Sequence, residues 1–227
     1  EELSRSLMRG DSSTQAALEL EAIGTETIPI LKEGLQSSEL EARFHAAEAL
    51  AYLNDASGVS VLKEAAESEP AFRAFAIAAL STLTDGDAVM AMRDLLHNDS
   101  IETRYGALRA LDIASPHDSA VVTHKFKTGF TVKLVETKAS PVVHVARRRH
   151  PEIVLFGPDQ RLEAPLVLRA GHDVLVQCPE NSDRVKLTRI VPGQPTRELH
   201  CGLRILDIIA TAADLGVNYP AIEELLA

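Results

Sequence analysis

The sequence has no tryptophan, and aromatic residues make up only 4% of its 227 residues. That scarcity leaves little material for a base-stacking platform or an aromatic-lined small-molecule pocket. Cysteine is nearly absent too. Cys178 and Cys201 can form one disulfide at most, so the fold cannot be a disulfide scaffold. No apolar run approaches the length of about eighteen residues that a membrane-spanning helix needs. We therefore expect no membrane insertion. The opening EELSRSLMRGDSS has neither a starting Met nor the apolar centre of a signal peptide, so we expect either a processed or excised piece or targeting information that lies outside it. Basic residues are scarce in one half. Residues 1–121 hold 9 Lys and Arg against 21 Asp and Glu, a net of −12, whereas residues 122–227 hold 14 against 12, a net of +2. An acidic body cannot neutralise phosphates, which argues against nucleic acid as a partner.

Motifs that carry chemistry are missing as well. There is no Gly-x-Ser-x-Gly elbow, no phosphate-cradling Gly-rich loop, no Cys-x-x-Cys and no His-Glu-x-x-His. His144, His150, His172 and His200 share the second half with the two cysteines, but without metal-ligand spacing. His200 and Cys201 are adjacent, and in a strand they point to opposite faces. The sequence therefore assigns no catalytic, cofactor-binding or metal-ligating residue.

A repeat is what the chain does contain. The segment EARFHAAEALAYL at residues 41–53 is copied at a spacing of about thirty residues, a period that marks stacked helix pairs. Aligning Arg43 with Arg73 and Arg104 also aligns Ala46, Ala76 and Ala107, and then Leu50, Leu80 and Leu111. Leu20 occupies the same position in a weaker first copy. Within one copy Phe44, Ala47, Leu50 and Leu53 lie three residues apart and share one helical face. The aligned arginines read as structural, their stems covering the neighbouring unit and their heads pairing with local carboxylates. Residues 1–9 read as the second helix of a unit, ended by Gly10 and Asp11. Ser12 or Ser13 is expected to cap the next helix, from residue 14 to 23. Partner helices are expected near residues 27–35, 58–66 and 88–96, with Pro29 tolerated in a first turn.

The helical pattern ends at Ser115-Pro116-His117-Asp118. Short β-type runs follow at residues 130–136, 141–147, 152–156, 166–170, 173–178 and 184–191, separated by turn formers such as Gly157-Pro158-Asp159 and Pro192-Gly193. They predict antiparallel hairpins in a small sandwich or barrel. The chain then returns to helix. Leu203, Leu206, Ile209, Ala210 and Ala213 form a stripe, Gly216 stops it, and Pro220 opens a short final helix. The expected class is α+β in two domains: helical repeats over residues 1–118, a β-rich part over 122–200, and a terminal helix pair over 201–227 that packs on it.

Two resemblances follow from these residues. The segments EARFHAAEALAYL, PAFRAFAIAALSTL and IETRYGALRAL resemble HEAT repeats, which implies an α-solenoid and leaves function wide, since that family spans scaffolds, transport receptors, bilin lyases and DNA glycosylases. The tail RILDIIATAADLGVNYPAIEELL resembles the C-terminal motif of bacterial flagellar P-ring proteins, through Leu215-Gly216-Val217, Pro220 and Ile222 to Leu226. That resemblance implies a non-enzymatic structural and assembly protein of the periplasm, with itself or other basal-body proteins as partners. The alternatives are an enzyme or enzyme subunit of the bilin-lyase kind, or an intracellular scaffold in the cytoplasm. Arg147, Arg148 and Arg149 form the one dense basic cluster, a possible patch for an anionic partner. Cys178 and Cys201 are a possible disulfide, provided their Cα atoms lie within about 7 Å.

Overall fold

Each alanine-rich segment of the first half forms one helix, and a shorter helix packs beside it. The computed structural model describes residues 2–146 and 151–227. Its two units divide between Ala120 and Val121. The first unit contains α1 (Glu2–Leu7), α2 (Gly10–Ile23), α3 (Ile28–Gly34), α4 (Leu40–Tyr52), α5 (Val59–Ser68), α6 (Arg73–Thr82), α7 (Gly86–Leu95) and α8 (Ile101–Ala114). The repeat-bearing helices α2, α4, α6 and α8 pack on one another in sequence order, and the shorter helices pack against them. Leu20, Leu50, Leu80 and Leu111 are all buried, as are Ala46, Ala76 and Ala107. Alanines at these positions let the helix axes approach, and the leucines fill the space between.

Local chemistry sets most of the boundaries. Ser100 caps α8 by accepting from the Thr103 amide at 3.2 Å, and Asp85 caps α7 by accepting from the Asp87 amide at 2.8 Å. One expected boundary is corrected. Helix α2 starts at Gly10, not at residue 14, with Arg9 at its N-cap and no capping side chain. Ser13 is buried within the helix, while the Ser12 hydroxyl donates back to the Ser6 carbonyl at 3.2 Å. The aligned arginines also depart from expectation, since two of them reach backbone oxygens. Arg43 donates to the Ser37 and Ser38 carbonyls at 2.9 and 3.0 Å, and Arg73 to that of Ala66 at 3.4 Å. Arg104 is buried.

The second unit contains β1 (Val121–Lys125), β2 (Thr131–Val135), β3 (Val142–Ala146), β4 (Glu152–Phe156), β5 (Leu166–Ala170), β6 (Val174–Cys178), β7 (Val185–Arg189), β8 (Arg197–Cys201), α9 (Ile205–Asp214) and α10 (Tyr219–Leu226). Strands β5 to β8 form an antiparallel meander, and the other sheet has the order β1-β2-β4-β3. Here the antiparallel expectation is corrected, because β2 and β4 pair in parallel. After β2 the chain crosses to the far side of β4 before turning back, so β3 takes the outer place and β4 must run along β2. Two strands escaped the sequence pattern, β1 and β8. Both are edge strands with mostly exposed residues, so neither carries the apolar alternation that marks a strand.

Helices α9 and α10 complete the core of this unit. Ile205, Ile208, Ile209, Ala212 and Leu215 bury against apolar residues of both sheets, together with Ile222 and Leu225. The Tyr219 hydroxyl reaches the carbonyl oxygens of Ala146 and Glu152 at 2.7 and 2.9 Å, tying α10 to the β1-β2-β4-β3 sheet. At the end of α9, Val217 N–H donates to the Ala212 carbonyl at 3.0 Å and Gly216 N–H to that of Ala213 at 2.9 Å, the Schellman arrangement. Gly216 has φ of 81°, and a Cβ there would lie 2.7 Å from Arg189 Nη1. Arg189 donates to the Leu215 carbonyl and, at 2.6 Å, to Asp173, while Arg197 reaches the Asp214 carbonyl at 3.2 Å. Two guanidinium groups thus sit at the negative end of α9.

Leu80→Ala is expected to lower the unfolding free energy by about 2–5 kcal/mol, through lost burial and a residual cavity. The exposed Glu33→Ala should cost less than about 0.5 kcal/mol. Urea denaturation of both variants checks this, and equal small shifts would contradict the packing described.

A second expectation concerns Arg93 and Asp118, joined by two hydrogen bonds of 2.9 Å between the α7 guanidinium and the buried carboxylate that follows α8. Burial pushes the Asp118 pKa up, but donation from Arg93, the Ala120 amide and Ser115 outweighs it and holds the carboxyl below its ordinary value. A depressed folded pKa means stability that is present above the ordinary aspartate range and lost as pH falls through the folded value. Asp118→Asn should therefore melt earlier than wild type at neutral pH. The gap should close as the buffer is taken below about pH 4, as followed by circular dichroism.

Candidate functional site

Between α6 and α8 the surface of the first unit opens into a groove of about 470 Å³. The floor follows from residue size. Ala74, Ile77, Ala78 and Ser81 lie one helical turn apart along α6, and Gly106, Ala110 and Ile113 run along α8 beside them. Gly106 keeps the floor low: a Cβ there would stand 2.9 Å from Ile77 Cδ1. Large apolar groups stand exposed on these same two helices, with Ile113 66% and Phe75 58% accessible. An apolar trough with exposed apolar residues beside it is the shape that takes a third helix.

The rim carries charge of both signs. Ser100 donates to Glu102 at 2.8 Å, which lowers the Glu102 pKa, and the Arg73 charge adds to that shift. Arg109 pairs with Asp112 at 3.3 Å. Each rim cation therefore has an acidic neighbour, and the apolar floor dominates what the groove can hold.

The groove was not found from sequence, although the repeat alignment carries a faint signal of it. His45, Phe75 and Gly106 are equivalent, as are Glu48, Ala78 and Arg109. Each set has one small member, Ala78 in the third unit and Gly106 in the fourth, and both line the trough.

The sequence-derived candidates are placed as follows. Arg147, Arg148, Arg149 and His150 lie outside the described residues. Cys178 and Cys201 are both free thiols, and the possible disulfide is corrected by the strand order. They sit on β6 and β8 with β7 between them. Two strand spacings of about 4.8 Å each put their backbones at roughly 10 Å, beyond disulfide reach. Burial pushes the Cys201 thiol above its ordinary pKa, with Asp207 and Cys178 adding to the effect against a hydrogen bond with Thr211. His144 lies half-buried on β3, and burial lowers its pKa against the pull of Glu152. His172 falls in the turn between β5 and β6, and His200 faces solvent on β8 opposite Lys186. Among the described residues no three His, Cys, Asp or Glu side chains stand close enough to hold a metal ion. Nor is any described helix long and apolar enough to cross a membrane.

Comparison with known proteins adds little. No family model matches the chain, and no curated protein does. Among solved structures, the chain is similar to one in the complex of CpcE and CpcF of phycocyanin lyase from Nostoc sp. PCC7120, with 19% identity and a TM-score of 0.40 over 51% of this chain and 79% of that one.

The non-enzymatic, flagellar P-ring reading is thereby corrected, since the similarity found is to part of an enzyme and no ring family matches. The geometry of the tail explains the false lead. Leu215-Gly216-Val217 is the Schellman stop of α9, Asn218 caps α10 through the Ala221 amide at 3.1 Å, and Pro220 sits in the first turn. Any two helices joined by so short a turn need these features, whatever the protein does.

The strand order predicts how the thiols behave. Treatment of the folded protein with diamide should produce no intramolecular crosslink, and both thiols should titrate with a chromogenic disulfide reagent after unfolding. A crosslinked monomer in non-reducing mass spectrometry would contradict the β6-β7-β8 order.

Proposed function

We propose that the chain is a helical-repeat binding subunit whose α6–α8 groove holds the apolar face of an amphipathic helix on a partner protein. The observation that carries this is the trough floored by Ala74, Ala78, Gly106 and Ala110. Small residues in register on adjacent helices leave room for a third helix to approach closely, as in other helix-in-groove complexes. Charge selects the partner's polar side. The helical half carries −12, a field that favours a partner helix with basic residues flanking its apolar stripe.

The groove also favours a second reading, a subunit of an enzyme of the bilin-lyase kind. A linear tetrapyrrole has an apolar body and carboxylates, and Arg73 and Arg109 stand at the rim to meet them.

One titration tests both. Synthetic helices of about eighteen residues, long enough to follow α8 end to end, share one leucine face and differ only in having basic, neutral or acidic polar faces. Fluorescence anisotropy should show saturable binding, strongest for the basic peptide and weaker as salt rises. Ala78→Arg, which fills the trough, should weaken it about tenfold, near 1.4 kcal/mol. Failure of every peptide to saturate, or equal binding by the variant, would overturn the helix reading. Saturable binding of biliverdin instead, lost in Ala78→Arg, would support the enzyme reading.

A further inference from the structure

A second constellation lies on α2 and α4, away from the groove. Thr14 Oγ1 is 2.8 Å from His45 Nε2, and His45 Nδ1 is 3.5 Å from Glu48 Oε2. The three side chains come from two repeats, 31 positions apart for Thr14 and His45, so no sequence motif announces them. We infer that Thr14 is a nucleophile with His45 as its general base, and that it takes a short acyl group from an activated ester or thioester.

The chemistry follows from the order of the contacts. His45 Nδ1 faces Glu48 as an ion-pair contact at 3.5 Å, and in the tautomer with the proton on Nδ1 the imidazole presents Nε2 as an acceptor to the Thr14 hydroxyl, the form a general base requires. The ring is held by more than that pair. It lies edge-on to Phe44 at 5.1 Å and to Phe72 at 6.0 Å between centroids, and those two rings are stacked at 4.4 Å. Glu48 is a positioning residue, and its charge is felt nearby. The Glu21 pKa is raised by partial burial and then by Glu48, and that of Tyr52 by burial, Glu48 and Glu21. Glu41, one turn before His45 on α4, is a further carboxylate on that face, and from the α6 side Phe72 brings an apolar ring.

In the step itself, Thr14 Oγ attacks the acyl carbonyl, and its proton passes to His45 Nε2. The bond from the carbonyl to the leaving oxygen or sulfur breaks, and the leaving group departs with the proton from His45. Thr14 is exposed, so the developing charge on the acyl oxygen meets water and not a fixed pair of donors. The acyl donor must therefore carry its own activation, which selects thioesters and aryl esters over amides. Leu18, one turn further along α2 and 55% exposed, offers an apolar resting place for the acyl chain.

The test uses the full chain with p-nitrophenyl acetate and with an acetyl thioester of N-acetylcysteamine, read by peptide mass spectrometry. Acetylation should concentrate on Thr14, with a rate that rises with pH through a single ionisation. His45→Asn should slow it about a hundredfold, in line with loss of general-base help, and abolish that ionisation. Glu48→Gln should shift the midpoint of the pH profile, which a merely structural role would not do. Thr14→Ser should retain acetylation at residue 14, and circular dichroism should report a native helix content for each variant. Acetyl groups found on lysines with Thr14 unmodified, or Thr14 acetylated equally fast in His45→Asn, would overturn the inference.

Discussion

Close approach between alanine-rich helix faces is the constraint on which the first unit depends. Ala46, Ala47, Ala76, Ala79, Ala107 and Ala110 are all buried, and Ala46 and Ala47 stand close against Gly34 of α3 and Gly58 just before α5. Side chains this small contribute little transfer free energy themselves. What they do is bring the axes near enough for Leu50, Leu80 and Leu111 to interdigitate, and a larger residue at any of these sites would overpack the stack. The trough between α6 and α8 is the same constraint seen from outside. Where small residues continue onto the solvent side, as at Ala74, Ala78 and Gly106, the surface retains an unfilled place of the kind the interior fills with leucine.

Much of this fold could be read from the residues alone, and the reasons differ by element. The helical half was legible because one pattern recurs at a fixed period, so that register errors in one unit are exposed by the next. Six strands were found where β-type runs lay between turn formers. Strands β1 and β8 were not, because an edge strand facing water needs no apolar alternation. The parallel pairing of β2 with β4 was also out of reach. Strand order is decided by which faces must be covered, and a run of five residues such as EIVLF carries no mark of its neighbour's direction.

Function was far less legible. The tail resembled a ring-forming family through a stop, a cap and a proline, which are requirements of helix termination and so recur without kinship. The two cysteines suggested a bond that one intervening strand forbids. Thr14, His45 and Glu48 are three common residues that meet only because neighbouring repeats place α2 beside α4. A groove is harder still to foresee, since it is made of absent side chains, and alanine and glycine in a repeat read equally well as packing.

The terminal helix pair gives the two halves different histories of assembly. Neighbouring repeats meet through residues about thirty positions apart, such as Lys63 and Asp94, so each helix pair can dock as soon as the next has been made. The β-rich unit has no such order. Its sheets are closed by Ile205, Ile208, Ile209 and Ile222, and Tyr219 reaches back 73 residues to Ala146. Until those helices are made, Val132, Ile153, Leu155 and Val176 lack the part of their cover that α9 and α10 supply. Nascent chains of this protein thus present a finished helical half and an unfinished apolar sheet at the same moment, the interval in which a chaperone has most to protect.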